Sequence, residues 1–174
     1  KNALEITRKK IASFINAQNN EIIFTSGGTE ADNIALRCAV IDLEVKRIIT
    51  TKLEHHAVGH TAEDLKVSNG TEIVYLKTDS FGNPSIEELK KLLKEPTKTL
   101  VSLMHANNEI GTLLPIEEIA QICNKHSHVF FHSDTVQTMG HYLFDVQKLG
   151  IDFLTCSAHK IHGPKGIGFL YLNK

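Results

Sequence analysis

Reactive side chains recur in this sequence just past apolar runs that read as strands. The densest case is Thr155-Cys156-Ser157-Ala158-His159-Lys160-Ile161-His162-Gly163-Pro164-Lys165-Gly166-Ile167-Gly168, between the runs Ile151 to Thr155 and Ile167 to Leu172. A lysine amine held in a cleft can condense with a carbonyl to form a Schiff base. A lone lysine is ordinarily a solvated loop residue, because Lys is seldom buried unpaired, so the rest of the chain has to decide for Lys160. Gly27-Gly28-Thr29 follows the run Glu21 to Ser26, and strand, glycine turn and helix start together make an anion cup. Glu54-His55-His56 follows Lys46 to Thr51, Asn107-Asn108 follows Thr99 to Met104, and Ser133-Asp134-Thr135-Val136-Gln137 follows His128 to His132. Five polar clusters thus follow five strands: Gly28 with Thr29, His55, Asn108, Asp134 with Gln137, and Ser157 with His159 and Lys160. Parallel strands deliver their carboxyl ends to one edge of a sheet, so these groups can meet over one ligand carrying a phosphate, a ring nitrogen and an aldehyde. Each also has a plain structural reading: Asn108 as a turn residue, Gln137 as an exposed helical side chain, Ser157 as a strand terminus, Asp134 as a helix cap.

The elements that must position these groups follow from periodicity. Leu4, Ile11, Phe14 and Ile15 recur at helical spacing, as do Ile34, Ala35, Cys38 and Ile41, and Ile86, Leu89, Leu92 and Leu93. Thr29 is the expected cap of the second of these helices, with Asp32 at the capping-box position, and Ser85-Ile86-Glu87-Glu88 is a capping box for the third. A short helix is expected around Thr61 to Ser68, another from Pro115 to about Asn124, and a short one after Asp134. At least six strand-helix alternations with near-continuous apolar strands predict an α/β fold, a three-layer α/β/α sandwich around a mainly parallel sheet. The 174 residues, 41% hydrophobic and 22% charged, suit one domain with an ordinary core, spanning 1–174.

A formal net charge of -1 gives no electrostatic reason to expect nucleic acid or an anionic membrane as partner. No run approaches the length of a membrane span, and the amino end has no signal-peptide core, so a cytoplasmic protein is expected. Cys38, Cys123 and Cys156 form neither a disulfide framework nor a metal spacing and read as core. Ten histidines raise the question of a metal. His55 and His56 are adjacent and His159 and His162 three apart, with no third ligand and no helical i, i+4 spacing, so no metal site is expected.

Taken together, Phe24-Thr25-Ser26-Gly27-Gly28-Thr29-Glu30-Ala31-Asp32-Asn33, His105-Ala106-Asn107-Asn108-Glu109-Ile110-Gly111, His132-Ser133-Asp134 with Gln137, and Ser157-Ala158-His159-Lys160 with Gly163-Pro164-Lys165-Gly166 resemble one group in its order. That group is the cysteine desulfurases of the class V aminotransferases, fold-type I enzymes that use pyridoxal 5'-phosphate. The resemblance covers almost the whole chain. It implies that Lys160 forms the Schiff base with the cofactor aldehyde and then moves protons, and that Asp134 pairs with the pyridine nitrogen. It further implies that Gly28, Thr29, Ser157 and His159 hold the phosphate, that Gln137 and Asn108 bond the ring hydroxyl and its surroundings, and that His55 stacks on the ring and transfers protons. Lys160, His55 and Asp134 are then the catalytic residues. Thr135 stands where the group usually has Ala, and Ala158 where it often has Gly.

The resemblance implies L-cysteine as substrate, a sulfur-acceptor or scaffold protein as partner, and a homodimer. The sulfur-accepting cysteine, the carboxylate-binding arginine and a smaller carboxyl-terminal domain lie downstream in the group and are not in these residues. The chain, which begins in mid-helix without Met, is accordingly expected to be the large-domain part of a longer protein, with little turnover alone. Two other readings stay open: another reaction on the same scaffold, such as a selenocysteine lyase, an aminotransferase or an epimerase, or a non-catalytic α/β binding module.

Overall fold

The structure, a computed structural model, describes residues 2–174; Lys1 lies outside them. Seven strands form one sheet: β1 (Ile22–Thr25), β2 (Arg47–Thr50), β3 (Glu72–Tyr75), β4 (Thr99–Ser102), β5 (Val129–Asp134), β6 (Phe153–Ser157) and β7 (Gly168–Leu172). Their order is β1-β7-β6-β5-β4-β2-β3. β3, β2, β4, β5 and β6 run parallel, while β7 is antiparallel to both β6 and β1. The helices are α1 (Asn2–Ile15), α2 (Gly28–Ile41), α3 (His56–Asn69), α4 (Ile86–Leu92), α5 (Ile116–Cys123) and α6 (Val146–Leu149).

Two apolar layers account for this arrangement. One joins Val101, Phe131, Leu154 and Tyr171 of the strands to α1, α4, α5 and α6. The other joins Ile48, Leu100, Phe153 and Leu170 to α2 and α3. Successive strand residues point to opposite faces, so Leu100 and Val101, or Phe153 and Leu154, each serve a different layer. Strands covered on both sides need continuous apolar runs, which is why the sequence shows runs and not alternation. The sheet order reverses at β2, where the chain leaves β3 and crosses to β4, and the covering helices change face at the same step. A crevice at the carboxyl ends of the strands follows from that switch.

Several local expectations change. The stripe on α1 is only partly used: Ala12 and Ile15 are buried, but Leu4 is 60% and Phe14 49% exposed. Thr29 does not cap α2. The cap is Gly27, Thr29 is the second helical residue, and Asp32 turns into the interior and is 1% exposed. The helix expected at Thr61 starts at His56, because His55 supplies the cap. The capping box at Ser85 is half formed: Ser85 accepts from the Glu88 N–H, but the Glu88 carboxylate accepts from Lys77 N. After Asp134 the chain makes a run of turns, and helix returns only at α6, capped by Asp145.

Candidate active site

All nine residues singled out at the strand ends line one cavity, together with Asp32, Met104 and Val136, around about 530 Å³ of space open to solvent. Gly28 begins α2, whose first N–H groups have no carbonyl four residues back to bond. A Cβ at Gly28 would sit 2.6 Å from Val136 Cγ2 and 3.7 Å from Ser157 Cβ, so a side chain there would collide with the opposite wall. Thr29 follows, exposed at the mouth. His55 caps α3, its Nδ1 accepting from Ala57 N at 3.2 Å. In the neutral ring the proton is therefore on Nε2.

Asn107, not Asn108, builds the loop after β4. Its Nδ2 donates to Leu53 O and its Oδ1 accepts from Glu109 N and Ile110 N, which leaves the Asn108 side chain for the cavity. Ser157 ends β6, and the 3-10 turn Ala158–Ile161 carries His159 and Lys160, both exposed. Ser157 Oγ and His159 Nδ1 lie 2.8 Å apart. His162, in the left-handed region at φ 61°, closes this turn, and Gly163 N donates to Ala158 O. Asp134 ends β5; its Oδ1 accepts from Val136 N at 2.8 Å, while no described residue donates to Oδ2. Capping the turn and facing a ligand are thus compatible for this one carboxylate. Gln137 follows in the turn, half-buried.

The family described as Aminotransferase class-V matches residues 1–174. The chain belongs to this family. Two relatives named "Cysteine desulfurase IscS", from Clostridium botulinum (strain Kyoto / Type A2) and Dictyoglomus turgidum (strain DSM 6724 / Z-1310), are 47% and 48% identical over 174 residues, 99% of this chain. Among solved structures, one described as "NIFS-LIKE PROTEIN" is 41% identical with a TM-score of 0.90, and "SspA in complex with cysteine" is 36% identical with a TM-score of 0.91. Both superpose on 98% of this chain. The chain spans 43% of those two sequence relatives and 47% and 49% of those two structures.

Beside the cavity stand buried titratable groups that strand-end patterning did not reveal, of which Asp32 lines it. Asp32, from α2, and Asp134 are both raised to about 7, burial being the main cause; Asp32 adds to the rise of Asp134. Glu54, beside His55, accepts from Met104 N at 2.9 Å through Oε1, while its buried Oε2 has no partner. Burial first, then the charges of Asp134 and Asp32, push its carboxyl well above the ordinary range. His132 is fully buried and lowered to about 4 by burial. One signal was available: His132 precedes Asp134 by two residues and so shares its strand face. No such signal marks Asp32 or Glu54.

Thr135 is turned away from the cavity, its hydroxyl donating to Thr155 O at 2.7 Å. Ala158 sits against Gly163, where a Cβ would meet Ala158 O at 2.8 Å. Contrary to the expectation of no helical histidine pair, His56 and His60 stand at i, i+4 on α3, and their rings stack at 5.0 Å. No group of three or more metal-ligating side chains occurs among the described residues.

Proposed function

We propose that residues 1–174 are the cofactor-binding large domain of a cysteine desulfurase, which removes sulfur from L-cysteine, leaving L-alanine, with pyridoxal 5'-phosphate held in this cavity. The observation that carries the reading is the convergence of all nine strand-end residues on one cavity at the sheet's switch point. Named relatives and structural neighbours support the same reaction class.

The donor set fits the cofactor. The α2 amino terminus at Gly28 and Thr29, with Ser157 and His159, would hold a phosphate, all four lining the cavity. Asp134, with Oδ2 free, would hold the ring nitrogen, Gln137 and Asn108 the ring hydroxyl and its surroundings. His55 would cover the ring face, presenting Nε2–H, and Lys160 would hold the aldehyde through its amine. Once bound, the cofactor supplies an aldehyde that condenses with amines and a ring that accepts a carbanion's electron pair. The chain's own residues orient it, and Lys160 and His55 carry protons at Nζ and Nε2.

None of the three thiols suits the acceptance of sulfur. A reacting cysteine needs its thiolate, but burial raises Cys38 to about 11 and Cys123 and Cys156 to about 12, and none lines the cavity. In this reading the accepting cysteine lies outside these residues, and sulfur passes onward to an acceptor or scaffold protein in iron-sulfur cluster assembly. A homodimer in the cytoplasm completes the proposal; no described helix is long and apolar enough to cross a membrane.

The test uses the full-length protein. Adding pyridoxal 5'-phosphate should give a visible absorption band that Lys160→Ala abolishes, and L-cysteine should yield sulfide and alanine. Absence of the band in folded wild-type protein would sink the cofactor reading. Amino transfer to a keto acid without sulfide would sink the desulfurase reading alone.

A further inference from the structure

Beside the cavity, side chains take over where the ladder between two neighbouring strands stops. β2 and β4 stay in register as far as Ile49 and Val101. Beyond that point Leu103 N and His105 N donate to His132 O and Asp134 O on the β5 side. Successive N–H groups of a strand point to opposite neighbours, so Met104 N faces the side that β2 has left. Met104 is buried, and a buried N–H needs an acceptor. The Glu54 carboxyl supplies one through Oε1 at 2.9 Å. A second side chain crosses in the other direction: Asn107 Nδ2, past the end of β4, donates to Leu53 O at 2.7 Å. Two adjacent residues of the segment after β2 are thereby fastened to the segment after β4.

The β4 side of this latch is held independently. His105 N bonds Asp134 O, Leu114 N bonds His105 O, and Asn107 Oδ1 accepts from Glu109 N and Ile110 N. The segment after β2 has its own bond from Leu53 N to Thr51 Oγ1, but that bond lies within the segment and ties it to nothing else. The next residue is His55, whose side chain lines the cavity with Met104 and Asn108. His55 is exposed, so packing alone does not place its ring. Its place follows from the backbone on either side: Ala57 N donates to Nδ1 from α3, and Glu54 is anchored to Met104 N. We propose that Glu54 and Asn107 are positioning residues that set where the His55 ring stands over the bound cofactor, by fastening the segment that carries it to the end of β4. This inference rests on the cofactor reading above. Neither Glu54 nor Asn107 lines the cavity, so both act through His55.

The test uses the full-length protein and three readouts: affinity for pyridoxal 5'-phosphate by titration, visible circular dichroism of the bound cofactor, and kcat for sulfide release. Glu54→Met fills similar space without an acceptor for Met104 N. It should weaken cofactor binding about tenfold, alter the circular dichroism and lower kcat by about 10- to 100-fold, the cost of a misplaced group. Glu54→Gln keeps an oxygen for Met104 N and should recover most of each loss. Asn107→Asp keeps the oxygen that accepts from Glu109 N and Ile110 N but loses the donor to Leu53 O. It should move all three readouts in the same direction, which keeps the test decisive if Glu54→Met does not fold. In a His55→Asn background, either substitution should change cofactor affinity by no more than about twofold, because the ring it places is already gone. Equal losses in both backgrounds, or a loss that Glu54→Gln leaves in place, overturn the proposal. So does wild-type affinity in both Glu54→Met and Asn107→Asp, and that result leaves the cofactor reading standing. Wild-type protein that binds no cofactor overturns the cofactor reading, and this inference with it.

Discussion

His132 Nε2 and Asp32 Oδ1 approach to 3.4 Å inside the protein without forming an ion pair. Burial holds the imidazole neutral, down to about 4, and raises the carboxyl to about 7. Charging both would require desolvating both, a cost that attraction in the interior often fails to offset. Two acids, Asp32 and Asp134, line the cavity, and the charges of both add to the rise that burial imposes on the nearby Glu54 carboxyl.

The first prediction concerns the cofactor-free, full-length protein. Asp32 and Asp134 hold protons more tightly folded than unfolded, where the ordinary value is 3.8. Stability associated with them is complete below about 4 and is lost as pH rises through about 7. His132 has the opposite sign: the unfolded chain binds its proton more tightly, so its contribution recovers as pH rises from about 4 to 6.5. Asp134→Asn should accordingly stabilise the cofactor-free protein at pH 8 by about 2 kcal/mol, the order expected when a sparsely partnered buried carboxylate becomes an amide. The gain should shrink toward pH 4, and cofactor affinity should fall. Urea unfolding at several pH values reads it; a gain independent of pH would contradict the buried-charge account.

The cup offers a steric prediction. Gly28→Ala places a methyl 2.6 Å from Val136 Cγ2, and valine, branched at Cβ, has little room to turn aside. Either α2 or the turn at Val136 must shift, and both line the cavity. The expected result is a destabilisation of about 1–3 kcal/mol with weaker cofactor binding. Val136→Ala in the same chain should restore much of both, which thermal melts and cofactor titration can follow. Additive losses in the double variant would show that the contact is not the cause.

How far the sequence could be read depended on what each signal measures. The apolar runs at Ile48-Ile49, Leu100-Val101 and Leu154 marked strands correctly because a sheet covered on both faces leaves no room for alternation. Strand-end polar residues marked the cavity because topology alone brings those ends together. Helix periodicity was weaker: Leu4 and Phe14 keep the spacing of a buried stripe on α1 yet face outward. Capping chemistry misled at Thr29, since Gly27 begins α2 and Asp32 is drawn inward toward His132. Asp32 and Glu54 were illegible for one reason. A carboxylate is assigned to the surface by default, and only the fold brings these two, from different elements, beside Asp134.

His55 serves two purposes that substitution can separate. Its Nδ1 accepts from Ala57 N and so caps α3, while the ring lines the cavity. His55→Ala removes both functions and should cost about 1 kcal/mol through the cap alone. Asparagine is a strong capping residue whose side-chain oxygen can take the same N–H, so His55→Asn should regain most of that stability. It offers neither the ring face nor an imidazole nitrogen, so sulfide release by the full-length protein should remain far below wild type, whatever the melting temperature. Recovery of sulfide release together with stability in His55→Asn would reduce His55 to a helix cap and remove it from the proton-transfer assignment.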